Sequence, residues 1–144
     1  GANITFEYLF STTLRTRNDL TITKGEDSEG LPIRHVPPIF GSSHFIFESQ
    51  KLFIDFYADY SGKFNFEELA AEEQNKPHLY LPDEQGNPYS PSWWTINLKS
   101  NYKLNRKITL GGGIENILNN RYRTYSSGLV SPGTNFILSI NAKF

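Results

Sequence analysis

The feature that most constrains the fold is the alternation of polar and apolar side chains over residues 134–144. The apolar positions in this stretch are Phe136, Leu138, Ile140, Ala142 and Phe144. A period of two is typical of a β-strand with one apolar face and one polar face. A strand that crosses a membrane in a β-barrel needs about 9–11 residues of this pattern. A soluble strand can show the pattern too, so the choice depends on whether the rest of the chain repeats it.

The chain repeats this strand pattern six more times. Asp55 and Asp59 lie on the same side of the strand predicted at residues 52–60. Because Asp is depleted in strands, their presence indicates that this side of the strand meets water. We therefore predict seven strands in all. The six further segments are residues 2–10, 14–24, 41–49, 52–60, 94–102 and 108–115.

Short and long connections between the predicted strands alternate strictly along the chain. The short ones lie at residues 11–13, near Gln50 and at Asn105-Arg106, and the long ones span about 25–38, 62–91 and 116–133. Outer-membrane barrels have short turns on the periplasmic side and long loops outside. This regularity favours such a barrel over a soluble sandwich. Within the second long loop, residues 66–73 predict a short solvated helix.

The composition narrows the function classes. A net charge of −1 gives no indication of nucleic acid as a partner, and the absence of cysteine excludes disulfides and thiolate metal sites. No apolar run reaches the ~20 residues of a transmembrane helix. The mean hydropathy of −0.47 is compatible with a membrane barrel, because half of each barrel strand is polar. The chain shows no signal peptide, and we expect that Gly1 is not the natural start.

No constellation for catalysis or for metal binding is present in the sequence. His35, His44 and His78 are scattered without the spacing of metal ligands, so no metal site is predicted. No nucleophile motif, catalytic triad order or phosphate-binding loop occurs. We therefore predict neither an enzyme nor a cofactor.

The remaining polar and glycine features are interpreted as parts of a barrel wall. Residues 111–113 are all glycine, and we predict close backbone approach or sharp coiling of the strand there. The acidic residues of the strands are expected to face a water-filled lumen, paired with arginine from elsewhere in a barrel. These residues are Glu7, Glu48, Asp55 and Asp59.

Three segments and the last residue together resemble TonB-dependent outer-membrane receptors. Residues 114–123 (IENILNNRYR) are similar to the last long loop of that family, and residues 131–136 (SPGTNF) to its Pro-Gly-Arg segment. Residues 36–41 (VPPIFG) resemble its Pro-Pro element, and the chain ends in Phe144 as the family does. Two departures occur, since Ile117-Leu118 replaces Leu-Phe and Thr134 replaces arginine. No role of that arginine is carried over.

The resemblance implies an all-β fold, namely an antiparallel transmembrane β-barrel segment. Residues 1–144 correspond to about the last seven strands of a roughly 22-stranded barrel, and this chain lacks the plug domain that fills the lumen in the family. Seven strands are an odd number and leave two open edges, so we expect that the chain is not a finished protein. A nicked receptor, a two-chain receptor and partial coverage of a longer chain all fit the start at Gly1.

The family's function would be active import of a scarce nutrient across the outer membrane of a Gram-negative bacterium. The nutrient could be a siderophore, haem, a vitamin or a glycan. Energy would come from TonB, acting through the plug that this chain lacks. The other implied partners are the rest of the barrel, outer-membrane lipids and the barrel-assembly machinery, for which Phe144 would be the signal. Two alternatives remain open: a passive structural or adhesion barrel, and a soluble β-barrel for a small apolar ligand.

The positions of three groups of residues predict which surroundings they meet: lipid or lumen, substrate, and the membrane interface. The apolar strand positions Leu138, Ile140, Leu98 and Ile54 should face lipid, and Asn97, Asn141 and Asp55 the lumen. Polar and aromatic residues on the long loops are the candidates for substrate contact. These candidates are Arg34, His35, Tyr80, Arg121 and Arg123. Aromatic residues near the loop ends are expected to form a membrane-interface girdle, with ligand contact as the alternative. They are Tyr60, Tyr89, Trp93, Trp94, Tyr122 and Tyr125.

Overall fold

The computed structural model of the protein describes residues 1–144 and contains an antiparallel sheet of seven strands in sequence order. The first four strands are β1 (Ala2–Leu9), β2 (Leu14–Ile22), β3 (Phe40–Glu48) and β4 (Leu52–Ser61). A small hairpin of β5 (Leu81–Pro82) and β6 (Pro88–Tyr89) follows outside the sheet, and then come β7 (Trp93–Lys103), β8 (Ile108–Glu115) and β9 (Asn135–Ala142). The seven strands predicted from the alternation are confirmed.

The register of the strands assembles one continuous apolar face. Residues directly opposite each other on paired strands share a face of the sheet. Phe45 on β3 lies opposite Phe56 on β4, and Phe56 lies opposite Leu98 on β7. Leu98 lies opposite Ile114, which lies opposite Phe136 on β9. One apolar row therefore crosses five strands without a polar interruption.

The other face of the same strands is mostly polar. Arg17 on β2 lies opposite His44 on β3, His44 opposite Tyr57 on β4, and Tyr57 opposite Asn97 on β7. Leu138, Ile140, Leu98 and Ile54 thus share one face and Asn97, Asn141 and Asp55 the other, as the alternation predicts.

The polar face is more buried than the apolar face. Asn97 is 3% exposed and Asp55 is 9% exposed, whereas Phe56 is 47% exposed and Leu138 is 90% exposed. A cleft of about 450 Å³ on the polar side is lined by residues from β3, β4, β7, β8 and β9, so the sheet is concave on that side. A water-soluble domain buries its apolar side chains and exposes its polar ones, so the burial in this sheet is reversed.

The two outer strands of the sheet each pair on one side only. β1 pairs with β2, and β9 pairs with β8, and neither has a second neighbour. Every residue of both strands is exposed. Each edge therefore presents unpaired N–H and C=O groups along its length.

The short turns between strands are closed by polar side chains. Ser11, Ser49 and Asn105 each accept backbone N–H groups from two or three residues later, at 2.8–3.2 Å. Such local bonds are the reason that serine and asparagine favour turns.

The helical segment differs from the prediction of one solvated helix over residues 66–73. The structure has a 3₁₀ helix at Phe66–Glu68 and a separate helix α1 at Ala71–Gln74, because the chain turns extended at Leu69 and Ala70, which are both buried. The expectation that this helix is solvated was wrong for Glu73, which is fully buried. No helix of the chain is long and apolar enough to cross a membrane.

The prediction of close backbone approach at the glycine run is confirmed at Gly111. A Cβ atom there would collide with the side chain of Ser139 on β9 and lie 2.9 Å from the side-chain oxygen of Asn101. At Gly112 the nearest atom would be 3.7 Å away, which is ordinary contact. Only part of the run is therefore required by crowding.

The two faces make a testable prediction with a matched pair of substitutions in β9. Leu138→Arg would place a charge on the apolar face and should cost about 2–4 kcal/mol of barrel stability in lipid. Ile137→Arg starts from a similar side chain one residue away on the polar face, and should cost much less. Unfolding in detergent or lipid of the full protein that contains this chain measures both, and equal losses would contradict the face assignment.

Candidate functional site

The three long connections lie at one end of the sheet and contact one another. We name them loop A (residues 23–39), loop B (62–92) and loop C (116–134). At their bases, the Gly62 N–H donates to the Ile39 carbonyl at 2.7 Å, which joins loops A and B. Phe64 and Ser90 exchange backbone hydrogen bonds at 2.9 Å, which closes loop B on itself. The loops therefore form a joined cap over this end of the sheet.

A buried carboxylate, Glu73 in α1, connects all three loops. Its Oε1 accepts from the Arg34 Nε at 3.1 Å, the Lys76 Nζ at 3.1 Å and the Ser126 Oγ at 3.2 Å. Its Oε2 accepts from the Tyr80 hydroxyl at 2.7 Å. Arg34 belongs to loop A, Lys76 and Tyr80 to loop B, and Ser126 to loop C. We call these five residues the Glu73 hub.

The Glu73 hub holds its charge strongly. Burial would raise the pKa of Glu73, but the hydrogen bonds from Tyr80, Lys76 and Arg34 outweigh it and lower the pKa to about 2. Burial, together with the hydrogen bond to the Glu73 carboxylate, raises the pKa of the Tyr80 hydroxyl far above its usual value. Glu73 is therefore ionised and Tyr80 is neutral at any physiological pH, and the hub is a fixed ion cluster.

Aromatic rings pack the same loops together beside the hub. Tyr125 meets Phe64 edge-on with ring centroids 5.1 Å apart, and its ring lies 6.4 Å from that of Tyr80. Trp93 stacks on Tyr122 at 4.2 Å. These contacts fasten loop C to loop B and to the start of β7.

A network of asparagines anchors loop C to the end of the sheet. The backbone N–H of Asn116 donates to the Asn97 Oδ1 at 2.8 Å. The Asn116 Oδ1 accepts from the Asn120 N–H at 2.9 Å, and its Nδ2 donates to the carbonyls of Asn120 at 2.8 Å and Pro132 at 3.1 Å. Asn116 has a φ of 50°, a left-handed conformation that asparagine tolerates better than most residues. One side chain thus closes both ends of loop C.

Thr134 completes this network. Its N–H donates to the Asn119 Oδ1 at 3.2 Å, and its hydroxyl donates to the Asn116 carbonyl at 3.0 Å. Thr134 therefore serves as a local anchor at the start of β9.

Three of the five predicted substrate-contact residues line one cleft. Tyr80, Arg121 and Arg123 border a cavity of about 450 Å³ together with His78 and Tyr122, and no carboxylate lines it. The Arg123 Nη1 is bound to the His78 carbonyl at 3.0 Å, while Arg121 is exposed. Arg34 lies in the Glu73 hub instead. His35 is exposed and has a φ of 63°.

No family model and no curated protein matches this sequence. Solved structures match its fold over 99% of the chain. The copper transporter OprC is 15% identical with a TM-score of 0.81, and the match covers 22% of that protein. A variant of the ferric enterobactin receptor PfeA from Pseudomonas aeruginosa is 17% identical with a TM-score of 0.74, and 22% of it is covered. The ferripyoverdine receptor of the outer membrane of Pseudomonas aeruginosa is 14% identical with a TM-score of 0.67, and 19% of it is covered.

The chain has the fold of a segment of these outer-membrane β-barrels. The sequence-based prediction of an antiparallel β-barrel segment is thereby confirmed. The chain spans about a fifth of the length of the receptors it matches.

Within this barrel wall, the six aromatic residues predicted as a girdle occupy different environments. Tyr60 and Trp94 lie opposite each other on the apolar face near the loop end, where a membrane interface would meet the wall. Trp93 shares the polar face with Thr95 and stacks on Tyr122. Tyr125 packs inside the loop cap, and Tyr89 lies under the Lys63 ammonium at 4.5 Å. The girdle remains a prediction, carried by Tyr60 and Trp94.

The acidic residues of the barrel wall find partners within this chain. Arg15 on β2 bridges Glu7 at 3.3 Å and Glu48 at 2.9 Å. The expectation that arginines from elsewhere in the barrel pair with them was wrong for these two. Asp55 faces the His44 Nδ1 at 3.0 Å, and Asp59 accepts from Asn97 at 3.1 Å.

Sequence reasoning missed both Arg15 and Glu73 as connecting residues. Arg15 stands between two carboxylates only through the strand register. Glu73 is one of four glutamates between residues 67 and 73, and nothing in their spacing marks it as the buried one. No group of three His, Cys, Asp or Glu side chains is arranged to hold a metal ion.

The Glu73 hub predicts a pH dependence of loop packing. Because the pKa of Glu73 is lowered from 4.5 to about 2, its stabilisation is complete above pH 4.5 and is lost as the pH falls towards 2. Glu73→Gln should weaken the cap by about 2 kcal/mol and remove this dependence. Glu72→Gln, at the exposed neighbour, is the control. Hydrogen exchange of loop amides between pH 2 and 6 measures the effect, and identical pH profiles for wild type and Glu73→Gln would contradict it.

The asparagine network predicts a local effect of one substitution. Asn116→Asp keeps the oxygen that accepts from Asn120 but removes both amide donors, so loop C should open more easily, by about 1–3 kcal/mol. Leu118→Ala, an exposed change in the same loop, should have little effect. Faster hydrogen exchange at the Asn120 and Thr134 amides in the first variant alone is the expected result, and unchanged exchange there would show that the network does not hold the loop.

Proposed function

We propose that this chain forms part of the wall and of the outer loop surface of an outer-membrane barrel. The observation that carries the proposal is the inverted burial of the sheet, in which the apolar side chains are exposed and the polar ones lie in the concave face. In lipid, an outward apolar face is favourable, and a polar face can line an aqueous lumen. A soluble β-barrel for an apolar ligand would need the opposite arrangement.

Residues 1–144 would contribute about seven strands to a barrel of roughly 22, near its C-terminal end. The unpaired edges of β1 and β9 support this, since each unpaired backbone group in lipid costs several kcal/mol. Further barrel strands would pair with both edges, and a plug supplied outside residues 1–144 would face the polar side. Phe144, with its exposed ring, would mark the terminal strand for the barrel-assembly machinery.

The activity that fits this wall best is TonB-dependent uptake of a scarce nutrient. The matched structures support it, since they are a copper transporter, a ferric enterobactin receptor and a ferripyoverdine receptor. The joined loops A, B and C would form part of the outer binding surface. The substrate would be a scarce nutrient such as a siderophore, haem, a vitamin or a glycan.

Deletion of the gene for the full protein tests the proposed activity. Cells that lack it should lose growth or uptake on one of a ferric siderophore, a copper salt, haem, a corrinoid or an oligosaccharide, supplied at limiting concentration. The same loss should occur when the gene is present and TonB is absent. Uptake that requires the gene but not TonB would instead indicate a passive barrel, and recovery of the protein from the soluble fraction would contradict the membrane assignment.

The cleft and the hub make different predictions for uptake. Arg121→Ala changes an exposed residue of the cleft, so it should weaken substrate binding at least tenfold without loosening the loops. Arg34→Ala removes a partner of buried Glu73 and should loosen the cap as well. Arg106→Ala, at a short turn on the opposite end, is the control. Unchanged affinity when Arg34, His35, Tyr80, Arg121 and Arg123 are all alanine would remove this segment from the binding surface.

A further inference from the structure

A cavity of about 440 Å³ lies between the loop end of the sheet and loop C. The polar face of the sheet supplies one wall, because Phe40 on β3 lies opposite Ser61 on β4, and Ser61 lies opposite Trp93 on β7. Loop C supplies the other wall with Tyr122 and Tyr125. We call this cavity the aromatic pocket. It shares only Tyr122 with the cleft that Arg121 lines.

The aromatic rings of the pocket favour a positive charge. Trp93 stacks on Tyr122 with ring centroids 4.2 Å apart, and Phe40 is 40% exposed although it lies on the polar face of the sheet. An aromatic ring carries partial negative charge on its face, so a cation beside several rings is attracted to them. The rings also offer an apolar surface to the uncharged part of a ligand.

Asp59 is the one charged residue that lines the pocket. Its Oδ2 accepts from the neutral Asn97 amide at 3.1 Å, and its Oδ1 makes no hydrogen bond within the chain. Asp59 takes part in none of the ion pairs. The cations of the neighbouring hub, Arg34 and Lys76, are bound to Glu73. The carboxylate of Asp59 therefore lacks an ion-pair partner within the chain.

Ser61 provides a second, independent sign of a ligand. It is 9% exposed, and its hydroxyl makes no hydrogen bond within the chain. The chain has no side-chain oxygen or nitrogen that is both sealed from solvent and without a partner, so the Ser61 hydroxyl opens into the pocket that it lines. Ser61 and Asp59 lie two residues apart on β4 and share a face. An oxygen of each is therefore left for one bound group.

The chemistry of these two oxygens selects the ligand. A protonated amine carries a positive charge and several N–H donors, so it can bond to both oxygens at once. An anion would be repelled by Asp59, and a calcium or magnesium ion would need about six oxygen ligands. A saccharide has a hydroxyl on nearly every carbon, whereas the pocket offers Asp59, Ser61 and Thr124 among aromatic rings.

We propose that the aromatic pocket binds a protonated amine that carries an apolar or aromatic group. The ammonium would bond to Asp59 and Ser61, and the apolar group would lie among Phe40, Trp93 and Tyr125. The volume lies within the roughly 300–1,000 Å³ of small-molecule sites. The proposal rests on the proposed uptake function in one respect, because it narrows the nutrient to one that carries such an amine.

Equilibrium dialysis of the purified full protein tests the proposal. The probe is 2-phenylethylammonium at pH 7, and the matched neutral probe is 2-phenylethanol, which has nearly the same shape. A polyoxyethylene detergent without a sugar headgroup keeps the protein dissolved, and empty micelles are the blank. We expect the ammonium to bind about tenfold or more tightly than the alcohol, the effect of one hydrogen bond to a charged group. Equal binding of the two, or no binding of the ammonium, would overturn the proposal.

A saccharide probe decides between the two ligands that aromatic rings commonly hold. Methyl β-glucoside should bind more weakly than 2-phenylethylammonium. Tighter binding of the glucoside would assign the pocket to saccharides and overturn the proposal.

Three single variants locate the bound amine. Asp59→Asn keeps an oxygen that accepts from Asn97 and removes the charge, so the ammonium should bind about tenfold more weakly. Ser61→Ala should weaken it about fivefold. Glu115→Gln removes a carboxylate from the same face that lines a neighbouring cleft and not the pocket, and should change the affinity less than about twofold. Equal losses in Asp59→Asn and Glu115→Gln, or no loss in Asp59→Asn, would contradict binding in the pocket.

The pocket and the uptake function can fail separately. Ammonium binding that depends on Asp59, in a membrane-inserted protein whose uptake does not require TonB, would keep the pocket and refute TonB-dependent uptake. TonB-dependent uptake without any ammonium binding would refute the pocket and leave the uptake function standing. Recovery of the protein from the soluble fraction would refute the wall function itself.

Discussion

The structure depends on the pairing of backbone hydrogen-bonding groups across a sheet whose outward face is apolar. In a medium without water, every N–H and C=O must find a partner within the protein, and the antiparallel ladder from β1 to β9 satisfies all but the two edges. The period of two then sorts the side chains, so that rows such as Phe45, Phe56 and Leu98 face outward while His44, Tyr57 and Asn97 line the concave side. A shift of one residue in register would exchange the two faces.

The two ends of this wall are built by different means. The short turns are closed locally by Ser11, Ser49 and Asn105. The long loops contain local turns as well, closed by Asp27 and Asp83, but they are held to one another by contacts between distant segments. Buried Glu73 joins loops A, B and C, and Asn116 fastens loop C to β7. A cap held in this way can be rigid at its base and still present exposed residues such as Arg121.

The strands and the loop cap also differ in how their carboxylates are neutralised. The strand carboxylates Glu7 and Glu48 are balanced by Arg15, and Glu73 is balanced within the loop cap. The carboxylates of the wall and of the loop cap therefore find their partners within the chain.

The sequence by itself determined the strands, their faces and the end at which the long loops lie. These features follow from local periodicity, which each strand carries in its own residues, as Phe136, Leu138 and Ile140 do in β9. The resemblance of residues 114–123 to a known loop also marked Asn116, although not what it bonds to. The crowding at Gly111 was predicted from the glycine run alone, but its partner Ser139 was not.

Only the tertiary structure decided which polar residues meet. Glu73 and the neighbouring glutamates look alike in sequence, and the burial of Glu73 results from Arg34 and Ser126, 39 and 53 residues away. The pairing of Arg15 with Glu48 depends on the β2–β3 register. Contacts of this kind depend on where the chain returns in space, which a local pattern does not encode.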